Sequence, residues 1–73
     1  MGARIQVLVN GRPKEGEEVH ISWRVGGHSR GRTDSSGTFN SGSTGTADTV
    51  YINGKEVMRG TVLEDRLYQI PKP

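Results

Sequence analysis

Residues 19–25, V-H-I-S-W-R-V, place an apolar side chain at every second position. A two-residue period belongs to an extended strand, whose successive side chains point to opposite faces. Val19, Ile21, Trp23 and Val25 are therefore expected inward, and His20, Ser22 and Arg24 outward. Residues 4–9, R-I-Q-V-L-V, repeat the pattern with Ile5, Val7 and Val9 on one face, although Leu8 interrupts it. No apolar set at i, i+3 and i+4 persists for three turns, and 11 glycines in 73 residues recur too often for a helix. The chain is expected to be all-β.

Turn chemistry divides the remaining sequence. Asn10, Gly11, Arg12 and Pro13 make one turn, because Gly tolerates positive φ and Pro removes a backbone donor. Residues 33–39, T-D-S-S-G-T-F, hold Asp and Ser side chains that can bond backbone N–H groups two residues on, with a Gly where positive φ is needed. That stretch is a bend leading into a short strand anchored by Phe39, and residues 41–46 are expected to follow as a flexible loop. Asn53-Gly54, between β-branched runs, is the strongest hairpin signal and sets Val50 across from Val57, with Ile52 on the same face and Tyr51 and Glu56 on the other. One or two last strands are expected in residues 60–63 and 67–70, around the turn Glu64, Asp65, Arg66.

Charge constrains the register of the second hairpin. A two-residue Gly26-Gly27 loop would set Arg30 opposite Trp23 and Arg32 opposite Ile21, at a cost of several kcal/mol for each guanidinium turned inward. A three-residue loop, Gly26, Gly27 and His28, sets Gly31 against Trp23 and Thr33 against Ile21 instead. The indole then lies over a residue without a side chain. Arg30 comes beside Arg24 and Arg32 beside Ser22, on the outer face.

The order of these landmarks, IQVLVNGRPKEGEEVHISW, then RGRTDSSGTF, then TVYINGKEV, resembles the prealbumin-like (transthyretin-like) β-sandwich of carboxypeptidase regulatory-like and related immunoglobulin-like modules, over residues 4–58. The resemblance implies a small antiparallel sandwich of about seven short strands, each sheet covering the other's apolar face. It also implies a non-catalytic accessory, adhesion or assembly role.

With 73 residues, one domain spanning 1–73 with a thin core is expected, either as a whole protein or as a module of a longer one. Cysteine is absent, which excludes disulfides and thiolate metal sites. Neither a secretory leader nor a run of about 18 apolar residues is present, so no membrane span is expected and the default location is cytoplasmic. There is no phosphate-binding glycine loop of either common kind.

Catalytic chemistry finds little to build on. His20 with Asp34 or Asp48 and a serine could be written as a triad, yet no spacing supplies an oriented base and an oxyanion site. Asp34, Ser35, Ser36 and Gly37 offer one carboxylate where a calcium loop uses several. His20 and His28 stand eight apart without a zinc-motif spacing. No catalytic, cofactor or metal residue is assigned, and the chain is expected not to be an enzyme.

The basic residues carry more. Arg24, Arg30 and Arg32, with His20 on the same sheet face and His28 in the adjoining loop, are candidate anion- or partner-binding residues. In the expected register Arg24 opposes Arg30, and like charges directly opposite destabilise a sheet unless an anion or acid neutralises them. Two functions compete. The leading one is binding of another protein, or self-association, through a sheet face or an edge strand. The alternative is nucleic-acid binding through the three arginines, although a net charge of +2 and few outward aromatics give it little support.

Overall fold

Asn10 and Gly11 both hold positive φ, 53° and 79°, and so do Asn53 and Gly54, 51° and 82°. Positive φ at both central positions is what a two-residue hairpin loop needs to match the twist of its strands. Each Asn-Gly pair therefore folds the chain back on itself. The computed structural model describes residues 2–73, and its regular elements among those residues are all strands.

The first Asn-Gly pair joins β1 (Arg4–Val9) to β2 (Arg12–Pro13). Val7 is the hinge of the first sheet: its N–H donates to the Gly37 carbonyl (2.9 Å) and its carbonyl accepts from Lys14 (3.0 Å). Both groups point to one side of β1, so β2 and β5 (Thr38–Asn40) share that side. The other side belongs to β8 (Leu67–Pro71), which runs parallel to β1 from Arg4↔Leu67 to Leu8↔Pro71.

In the second sheet the order is β4 (His28–Arg32), β3 (Glu18–Trp23), β6 (Gly45–Ile52), β7 (Lys55–Leu63), all antiparallel. The two four-stranded sheets form a small all-β sandwich, with eight strands among the described residues where about seven were expected. Ala3, Ile5 and Val7 from the first sheet meet Val19, Ile21, Trp23, Val50 and Ile52 from the second, all buried in one core. Phe39 closes one flank, with its ring lying where a side chain on Gly31 would be.

Several expectations require correction. Val25 is 89% exposed, because β3 stops at Trp23 and the chain turns away there. Glycines 26 and 27 adopt φ of 101° and 92°, and Trp23 N–H donates to Gly27 O (2.8 Å). Gly31 consequently opposes Val19, and Ser29 opposes Ile21, a shift of four residues from the expected register. The shift is even, so every side chain keeps its face. Its physical reason is the indole N–H, which donates to Ser29 Oγ at 2.8 Å; opposite Gly31 it would be buried without an acceptor. The residue over Gly31 is accordingly Phe39, not Trp23.

Val50 opposes Met58 and not Val57, because the β6–β7 register slips by one residue between Val50 and Tyr51. The expected loop at residues 41–46 is shorter, since β6 already begins at Gly45. Residues 41–43 are bonded to the start of the chain through Ala3 N–H to Ser43 O (2.8 Å) and Ser41 Oγ to Ala3 O (2.8 Å).

Candidate interaction surfaces

The outer face of the second sheet gathers the residues singled out from sequence. Cross-strand pairing sets Arg30, His20 and Tyr51 in one row, with Glu56 opposite Tyr51 at its end. The next row holds His28, Ser22, Thr49 and Arg59. His20 Nε2 lies 3.0 Å from His28 Nδ1, and the His20 ring is tilted against Tyr51 with centroids 5.7 Å apart. Glu18, His20, Arg30, Tyr51 and Gly54 line a shallow concavity of ≈ 340 Å³ beside this pair.

Arg24 does not face Arg30, whose opposite neighbour is His20. The like-charge pair that suggested an anionic partner is therefore absent, since both loop geometry and register differ from expectation. Each arginine also has its own acceptor. Arg30 donates through Nε (3.1 Å) and Nη2 (2.9 Å) to Glu18 Oε2, Arg24 Nε meets Asp48 Oδ1 at 2.9 Å, and Arg32 Nη1 reaches Gly16 O at 3.0 Å. The Arg30 guanidinium holds the Glu18 carboxyl below its ordinary value.

Asp34 is engaged in its own turn. Its Oδ1 accepts from Ser36 Oγ (2.7 Å), Ser36 N–H (2.9 Å) and Thr38 N–H (3.1 Å). The Ser36 hydroxyl, followed by those backbone donors, keeps its carboxyl below the usual range. With Asp48 paired to Arg24, the two aspartates of the sequence-level triad are both committed to other partners.

One cluster had no signal in the sequence. Glu17, only 9% exposed, accepts from Asn53 Nδ2 (3.0 Å) and lies 3.0 Å from Lys72 Nζ. Asn53 Oδ1 in turn accepts from Glu18 N–H (3.0 Å), so the turn after β6 is tied to β3 through Asn53, and the chain beyond β8 joins the cluster through Glu17. The bond from Asn53, followed by Lys72, lowers the Glu17 carboxyl from its ordinary value.

The second surface is the side of the sandwich away from Phe39. There Met58 of β7 and Arg66, Leu67, Tyr68, Gln69 and Ile70 line an open groove of ≈ 620 Å³. Leu67 is 42% exposed, while Met58, Tyr68 and Ile70 are half-buried against the core. The Arg66 guanidinium sits 5.2 Å from the Tyr68 ring centroid, and the Tyr68 hydroxyl accepts from Glu64 N–H at 2.8 Å. No family model, curated protein or solved structure matches this chain.

Proposed function

We propose that the chain is a non-catalytic interaction module, of the prealbumin-like, immunoglobulin-like kind that its turn motifs resemble. It takes an extended protein segment, from a partner or from another copy of itself, along the free edge of β8. The observation that carries this reading is the groove between β7 and β8, where a strand edge with no partner among the described residues adjoins Met58, Leu67 and Ile70. An incoming strand gains main-chain hydrogen bonds from such an edge and specificity from the apolar contacts beside it.

The direction of the ladder supports the choice of edge. Arg66 O accepts from Arg4 N–H, and Lys72 N–H donates to Leu8 O, so even-numbered positions face β1. By alternation, the backbone groups of Leu67 and Gln69 face away from it. Pro71 falls on the same outward set, where a missing N–H costs the ladder nothing.

Gln69→Pro removes one outward donor and Leu67→Lys puts a charge beside the groove. Size-exclusion chromatography with light scattering over a concentration series, and affinity capture from the source lysate, should show association in the native chain and its loss in both variants. A chain that stays monomeric at high concentration and captures no protein overturns the reading. Nucleic-acid binding has lost its main motive, because Arg24 and Arg30 do not oppose each other and are each ion-paired within the chain, which leaves Arg32, bonded to the Gly16 carbonyl, as the one charge of the three without a carboxylate partner among the described residues. Oligonucleotides at low salt, where phosphate contacts are strongest, are expected to stay free.

A further inference from the structure

We propose that His20 and His28 form a two-histidine site for a late first-row divalent cation, such as zinc or nickel, on the outer face of the second sheet. Eight residues separate them in sequence, but the hairpin measures that spacing: His20 opposes Arg30 and His28 opposes Ser22, so the imidazoles are diagonal neighbours on adjacent strands. Their Nε2 and Nδ1 atoms are 3.0 Å apart in a mutual hydrogen bond, so a cation binds here by displacing the proton the two rings share. With metal–nitrogen bonds of about 2.0–2.1 Å, two nitrogens at that separation subtend an angle of roughly 91–97° at a shared ion once both rings turn their lone pairs off the line that joins them, which suits adjacent positions of a coordination sphere.

Imidazole is a ligand that nickel, copper and zinc all favour. Both rings are mounted on paired strands, and Tyr51 packs beside the His20 ring, so little side-chain freedom is left to lose on binding. The positive charge of Arg30, the nearest cation in the row, is offset by Glu18 at 2.9 Å. His28 is exposed and His20 partly so, giving a hydrated ion access without opening the fold. Among the described residues no third His, Cys, Asp or Glu joins the pair, so water completes the coordination sphere and the bound ion exchanges readily. The site stands apart from the β8 edge and does not depend on it.

The test is a titration of the native chain with zinc chloride, and separately nickel chloride, at neutral pH, followed by nitrogen-detected NMR of the histidine rings and by thermal melting. Zinc should shift His20 Nε2 and His28 Nδ1 selectively, with 1:1 saturation and a rise in melting temperature, since an ion that binds only the folded chain stabilises it. His20→Gln and His28→Gln should each weaken binding by about tenfold or more, the protons of the missing ligand no longer being displaced. Both positions are on the outer face, and circular dichroism confirms that the variants stay folded. The proposal fails if the ring nitrogens do not respond to zinc in large molar excess over the chain, or if either variant binds as tightly as the native chain.

Discussion

A Cβ on Gly31 would lie 2.7 Å from Phe39 Cε1, closer than carbon atoms tolerate. The backbone there is ordinary, so the constraint is one of space alone. Gly31→Val should therefore lower stability by about 1–3 kcal/mol, the cost of overpacking a fitted contact, read as a reduced urea midpoint at unchanged slope. The sequence reading set this position beneath the Trp23 indole, but the ring over it is that of Phe39, because the Trp23 N–H is drawn to Ser29 instead. Acid provides a second test. Glu17, Glu18 and Asp34 are held below their ordinary values of 4.5, 4.5 and 3.8 by, first in each case, Asn53, Arg30 and the Ser36 hydroxyl. Depressed values in the folded state mean that the unfolded chain takes up protons first as pH falls. Stability should be flat above the ordinary carboxylate range and decline as pH drops below about 4.5, the ordinary Glu value. Glu17→Gln should flatten part of that decline and cost about 1 kcal/mol at neutral pH, where the bonds of a carboxylate become those of an amide. Denaturation series at stepped pH check both.

The two Asn-Gly turns share a backbone conformation but not a role. Asn53 also bonds Glu18 N–H and the Glu17 carboxylate, while among the described residues Asn10 makes no comparable side-chain bond. Asn10→Ala should cost about 1 kcal/mol, for forcing an alanine into positive φ, and Asn53→Ala about 2 kcal/mol or more, as its hydrogen bonds are lost as well. Paired urea melts give the difference directly. Strands and hairpins were legible because period and turn residues are local properties. Pairing was less so: the β6–β7 slip at Val50 and the four-residue offset of β4 depend on which groups meet across the strands, as the Trp23 N–H meets Ser29, and a two-residue period does not fix that. The same holds for the candidate residues. Arg30, Arg32 and His20 were placed on the correct face by parity, whereas His28 was expected in the loop and instead begins β4, Arg24 was expected opposite Arg30 and is not, and nothing in residues 60–70 announced a groove.

At the scale of the whole molecule, β8 is the element whose partner was least readable. A run such as L-Y-Q-I shows that a strand exists but carries no sign of its direction relative to β1, sixty-odd residues away in sequence. Removing residues 67–73 would strip β1 of its parallel neighbour and free the Glu17 carboxylate from Lys72. In a chain this small, the truncated form should lose cooperative unfolding altogether, seen as a broad, featureless thermal melt by circular dichroism where the native chain gives a sigmoid. The parallel arrangement has a mechanical corollary. Because β1 and β8 lie side by side and run the same way, tension applied to the start of one and the finish of the other slides them lengthwise, so the rungs from Arg4↔Leu67 to Leu8↔Pro71 bear the load together. Such a joint yields only when all of its rungs let go at once, so the fold should resist stretching between those two points more than an antiparallel pair peeled rung by rung would.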